Sequence, residues 1–110
     1  MKLPKDKNSH PSCGVDITLK VLGGKWKPVI LWHLKDQTLR FSELHRLVNG
    51  VTQKMLTQQL KEMEKAGLIN RKVYPQVPPK VEYSITEYGK TLKTVIKAMG
   101  DWGEQHRTRV

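Results

Sequence analysis

RFSELHRLVNGVTQKMLTQQLKEMEK, residues 40–65, is the stretch that decides the fold. Phe41, Leu44 and Leu47 or Val48 recur at helical spacing, so a short helix carries one apolar face, with Glu43, His45 and Arg46 pointing away. Asn49-Gly50 follows, a pair that accepts the positive φ at which most residues clash, and a tight turn is expected there. Thr52 is placed to open a second helix, because its hydroxyl can accept a hydrogen bond from a free N–H of the first turn. Leu56, Leu60 and Met63 form the apolar stripe of that helix. Its outer face is then Gln53, Lys54, Thr57, Gln58 and Lys61, side chains able to donate to phosphates and, through the amides, to pair with base edges. Two short helices, one gripping a core while its polar side stays free, have the layout of a helix-turn-helix. A surface helix of any soluble protein also has a polar outer face, so the flanking sequence has to decide between the two readings.

Downstream, Gly67 is suited to end the second helix as a C-terminal cap. The period then changes to two. Ile69, Arg71 and Val73 alternate with Asn70, Lys72 and Tyr74, and Val81, Tyr83 and Ile85 alternate with Lys80, Glu82 and Ser84. Pro75-Gln76-Val77-Pro78-Pro79 separates the runs and predicts two strands joined by a stiffened loop, a hairpin. Arg71, Lys72 and Lys80 bring positive charge to it. A basic hairpin directly after the second helix of a helix-turn-helix is a wing, and the pair is far more specific than either half.

Thr86 then caps a final helix, with Glu87 in its first turn, where the dipole favours an anion. Tyr88, Leu92, Val95, Met99 and Trp102 recur along this helix, with Ile96 adjacent. Upstream, Val15, Leu19 and Leu22 line a first helix that ends at Gly23-Gly24. The next helix has Pro28 in its first turn, where a missing N–H removes no helical bond. Trp26, Ile30 and Leu34 share its face, widened by Val29 and Leu31, which makes it the expected centre of the core. With that core already supplied, the terminal stripe is expected to meet a second copy of the chain. Residues 1–12 show no periodicity and read as a flexible N-terminal arm, leaving residues 13–110 as a single domain, mainly α with a small β-hairpin.

The chain has 110 residues, with 20 Lys and Arg against 10 Asp and Glu, a formal charge of +10. That surplus on so small a body attracts polyanions, nucleic acid before anionic membrane. The longest apolar run, Val29-Ile30-Leu31-Trp32, is far short of a membrane span, and the basic N-terminus lacks the apolar segment of a secretory signal. A cytoplasmic protein with no membrane partner is expected. The single cysteine, Cys13, cannot form an internal disulfide, in keeping with a reducing compartment.

With these residues in view, the chain resembles the HxlR family of bacterial winged helix-turn-helix regulators, relatives of the MarR group. The resemblance rests on Cys13, LGGKW at 22–26, RFSEL at 40–44, KMLTQQLKEMEKAGLI at 54–69 and, most specifically, YPQVPPKVEYSITEYG at 74–89. It implies a homodimer joined through the terminal helices, Val15, Leu19, Leu92, Val95, Met99 and Trp102 supplying the interface. Two recognition helices then enter successive major grooves of double-stranded DNA at an inverted repeat, and repression is the commoner outcome. Carried onto this chain, the DNA-binding residues are Thr52, Gln53, Lys54, Thr57, Gln58 and Lys61, with Arg71, Lys72 and Lys80 in the wing. Gln53 and Gln58 are the expected base readers, Lys54 and Lys61 the phosphate holders.

Cys13 stands where several relatives carry a cysteine that senses electrophiles or oxidants. Thiols react as thiolates, and helix N-termini and nearby lysines favour that form. The second, C-terminal cysteine of some relatives is missing, so sensing requires a Cys13–Cys13 bridge, a small-thiol adduct or alkylation. The competing reading is a small buried residue without redox chemistry. No metal is expected, since His10, His33, His45 and His106 are scattered and form no ligand-spaced cluster with Cys13. No nucleophile elbow, phosphate loop or helper-paired carboxylates are legible, so no enzyme and no cofactor are expected, although the seam between dimer helices offers room for a small apolar effector. The alternative from another class is a winged helix that contacts protein or RNA without operator recognition.

Overall fold

The computed structural model describes residues 13–109; the arm expected over residues 1–12, with His10, lies outside the described residues. Elements follow in the order α1 (Gly14–Leu22), α2 (Trp26–Leu34), β1 (Leu39–Arg40), α3 (Phe41–Leu47), α4 (Gln53–Lys65), β2 (Ile69–Tyr74), β3 (Lys80–Ile85), α5 (Glu87–Lys90) and α6 (Lys93–Arg107). The architecture is the mainly helical winged form expected from the sequence.

The core is built on α2. Ile30, Leu31 and Leu34 are fully enclosed and meet Leu44 and Val48 from the first half of the helix-turn-helix, and Leu56, Leu60 and Met63 from the second. Leu68 from the connection after α4, Ile69 and Tyr83 from the sheet, and Ile96 from α6 close it. Val29, expected to widen the apolar face of α2, is exposed instead. It lies one step off the arc marked by Ile30 and Leu34.

Within α3 the structure resolves one ambiguity and corrects one expectation. Val48 is completely buried and Leu47 is 44% exposed, so Val48 carries the stripe. Glu43 and His45 do not simply face solvent. Glu43 Oε1 accepts from the Arg40 N–H at 2.7 Å and secures the helix start. The half-buried His45 ring places Nε2 3.0 Å from the Val51 carbonyl oxygen. A carbonyl can only accept, so Nε2 carries the proton. The chain doubles back after α3, and that return brings Val51 over the ring, a contact no helical period announces.

The sheet has three strands in the order β1-β3-β2, both pairings antiparallel. The expected hairpin is present with Ile69 opposite Ile85 and Tyr74 opposite Lys80. Leu39 and Arg40 add a third strand by pairing with Tyr83 and Glu82. Ile69 is buried at the root of β2, whereas Arg71 and Val73 on the same face are exposed, because β2 is an edge strand while their partners Tyr83 and Val81 on the central β3 stay against the core.

The C-terminal region departs furthest from expectation. The single helix from Thr86 is two helices, α5 and α6, broken at Thr91-Leu92. Thr86 does cap, its Oγ1 accepting from the Gly89 N–H at 2.8 Å while donating to the Gly67 carbonyl at 2.6 Å. This pins α5 against the chain between α4 and β2. A Cβ on Gly89 would stand 2.2 Å from the Leu68 carbonyl oxygen, so only glycine fits the contact. The stripe rotates accordingly: Ile96 is buried, Leu92 packs on the core, and Tyr88 is exposed off the seam. Farther along, Gly100 passes so near Trp32 that a Cβ would lie 2.6 Å from the indole, fixing where α6 crosses α2.

Candidate nucleic-acid interface

The geometry begins at the turn before α4. Gly50 takes φ 89°, and Thr52 Oγ1 accepts from the Met55 N–H at 3.0 Å, so helix entry uses both expected residues. With Leu56, Leu60 and Met63 facing inward, Gln53, Lys54, Thr57, Gln58 and Lys61 are all left exposed along the outer side of α4, next to Thr52 at its entrance. At 3.6 residues per turn, Lys54, Gln58 and Lys61 stand most nearly opposite the buried stripe.

The two flanks of this helix differ. Toward the sheet, Thr57, Lys61 and Glu64 line a cleft of about 350 Å³ with Arg71 and Tyr83. Toward α2, Gln58 Nε2 donates to Glu62 Oε2 at 3.3 Å, and Lys27 Nζ donates to Glu62 Oε1 at 2.6 Å. The Lys27 hydrogen bond, then that of Gln58, hold the Glu62 carboxyl below the usual carboxylate range. Neither Lys27 nor Glu62 stood among the residues expected at the site. The four-residue spacing of Gln58 and Glu62 is a legible signal; Lys27 comes from another helix and leaves none.

The wing does not gather its cations on one side. Alternation along β2 places Arg71 with Tyr83 on the face turned to α4, and Lys72 with Tyr74 on the other. Lys72 Nζ lies 4.9 Å and Lys80 Nζ 4.5 Å from the Tyr74 ring centroid, both held by cation–π attraction. Tyr74 donates its hydroxyl to Glu82 Oε1 at 3.0 Å, and Lys80 Nζ is 3.5 Å from Glu82 Oε2. The Tyr74 hydroxyl first, and Lys80 with it, depress the Glu82 carboxyl. Lys80 is therefore half-buried and partly neutralised, whereas Arg71 and Lys72 are exposed.

Between α1 and α6, Val15, Leu19, Leu22, Pro28, Val95 and Met99 line an apolar groove of about 480 Å³. Val15, Leu19, Val95, Met99 and Trp102 are all exposed. Leu92, grouped with them from its spacing, belongs mainly to the core. Trp102 stacks on His106 with centroids 4.9 Å apart. Cys13 is exposed at the N-terminal cap of α1, its carbonyl accepting from the Ile17 N–H at 3.1 Å. Within the single described chain, Cys13 is therefore not enclosed by the domain's own core. Among the described residues no helix is long and apolar enough to cross a membrane.

Residues 21–110 match the family model described as HxlR-like helix-turn-helix. In Bacillus subtilis strain 168, the uncharacterized HTH-type transcriptional regulator YdeP is 54% identical over 98 residues, covering 89% of this chain and 77% of YdeP. The redox regulator HypR in its oxidised form superposes with a TM-score of 0.80 at 50% identity, covering 84% of this chain and 96% of that one. Its reduced form gives the same TM-score and identity, with 84% and 92% covered.

Proposed function

The chain belongs to the HxlR-like helix-turn-helix family of transcriptional regulators, and from that premise we propose that it is a cytoplasmic repressor that binds an inverted-repeat operator as a homodimer. The observation that carries this reading is the division of α4: its apolar stripe is enclosed, while its amide- and lysine-bearing side is exposed beside a basic hairpin. Two-fold symmetry presents both copies of α4 to one face of a duplex, with half-sites about 34 Å apart. The apolar groove between α1 and α6 is the surface through which the copies join.

The roles within α4 separate by chemistry. Gln58→Ala lowers the ratio of operator to random-duplex affinity by about tenfold, the worth of one bidentate base contact. Lys54→Ala weakens both duplexes alike and reduces the salt slope by about 1. Gel shifts against the DNA upstream of the protein's own gene, over a range of salt, measure both. Equal losses for the two variants on both duplexes overturn the division. Full competition by random duplex for the unaltered protein favours a winged helix used for protein or RNA contact.

Likeness to a redox regulator and the exposure of Cys13 support a thiol-responsive operator complex. Because the chain has one cysteine, the response runs through a Cys13–Cys13 bridge between protomers, a mixed disulfide with a small thiol, or alkylation. Diamide or a quinone is expected to change operator affinity in the native protein and not in Cys13→Ser, and non-reducing electrophoresis distinguishes the bridge from an adduct. Unchanged affinity after saturating treatment removes the sensing role.

A further inference from the structure

A carboxylate on the flank of a DNA-facing helix is unfavourable in a chain that otherwise concentrates positive charge, since it repels phosphate. Glu62 is such a group. Its side chain is 45% exposed, on the same helix as Lys54 and Lys61 and one turn beyond Gln58. Its two oxygens are both engaged: Oε1 takes the Lys27 ammonium at 2.6 Å, and Oε2 takes the Gln58 amide N–H at 3.3 Å. Lys27, only 15% exposed, is anchored in the first turn of α2, so the carboxylate is held from outside its own helix.

This arrangement settles which way the Gln58 amide points. A carboxylate only accepts, so the NH₂ group must be the end directed at Glu62. One N–H is used there. The carbonyl oxygen and the second N–H remain for the groove, an acceptor beside a donor. That pair matches the N6–H and N7 edge of adenine. Without the anchor, the long Gln side chain samples several rotamers, and its amide can present the reverse order of acceptor and donor.

We propose that Glu62, braced by Lys27, is a positioning residue that orients the Gln58 amide to read adenine, so that part of the operator specificity is set by α2. This inference rests on the DNA-binding reading above. Glu62 also offsets its own repulsion of phosphate through Lys27, which explains why the carboxylate and the ammonium occur together.

The test is binding anisotropy with the full-length protein and a panel of operator duplexes, each base pair of a half-site replaced in turn. Comparison of the native protein with Gln58→Ala identifies the base pair that Gln58 reads. Glu62→Met, similar in length and without a strong acceptor, is expected to lose about tenfold discrimination at that pair alone, with random-duplex affinity equal or higher because a negative charge is gone. Glu62→Gln keeps an acceptor oxygen and is expected to retain most of the preference. Lys27→Met, which frees the carboxylate, is expected to reduce it. Native discrimination at that pair in Glu62→Met, or an even loss across all pairs, overturns the proposal. If the native protein is selective but Gln58→Ala changes no pair, this proposal fails and the operator reading stands. If the native protein shows no selectivity at all, the operator reading itself fails.

Discussion

Leu19→Glu is expected to yield a folded monomer whose affinity for a two-half-site operator falls on the order of 100-fold, the lower end of the gain from linking two binding modules. Leu19 is 61% exposed on α1 and lines the apolar groove with Val15, Val95 and Met99. Burying a carboxylate in a joint of that composition opposes association strongly, while the isolated subunit keeps the residue in water. Sedimentation measures the assembly, gel shifts on one and two half-sites measure the binding, and a urea melt checks the fold. Single-half-site affinity and the unfolding midpoint should stay near native values. A variant that remains dimeric would show that the copies meet on another surface.

Gly89→Ala is expected to destabilise the protein by about 3 kcal/mol, at the upper end of the usual overpacking range. The added methyl would meet the Leu68 carbonyl oxygen at 2.2 Å and Ile85 Cγ1 at 2.7 Å. The first of these is backbone and cannot swing aside as the end of a long side chain can. The Gly89 N–H is also the group that Thr86 caps, so any shift that relieves the clash lengthens that hydrogen bond. A loss of this size is a large part of the 5–15 kcal/mol that commonly separates folded from unfolded chains. Urea titration followed by circular dichroism reads it out. Gly14→Ala is the control, since nothing lies within 4 Å of the position its Cβ would take; its midpoint should be unchanged or slightly raised.

What the sequence disclosed depended on how local the governing physics was. The helix-turn-helix was legible because its stripe, its Asn49-Gly50 turn and its Thr52 cap are set by neighbours a few residues apart. The wing followed for the same reason, from an alternation interrupted by prolines. β1 escaped because two residues display no period, and only the pairing of Leu39 and Arg40 with β3 makes them a strand. The break between α5 and α6 escaped because the apolar spacing of Tyr88, Leu92, Val95 and Met99 runs across it without interruption. At the candidate site, the composition of the outer face of α4 was readable, but the tethering of Gln58 to Lys27 through Glu62 spans 35 positions from Lys27 to Glu62. In the wing, the alternation already sent Arg71 and Lys72 to opposite faces, but the contacts of Lys72 and Lys80 with Tyr74 and of Lys80 with Glu82 cross between strands and leave no local pattern.

The crossing of Gly100 over Trp32 has a mechanical consequence. An indole resting on a residue with no side chain leaves no slack between α6 and α2, so a twist applied to the C-terminal helix presses first on the ring. The opposite end of α2 holds Lys27. α2 thus joins its contact with Gly100 at one end to the flank of α4 at the other, and the emission of Trp32, read in a variant lacking Trp26 and Trp102, is a gauge of any shift of α6 against α2.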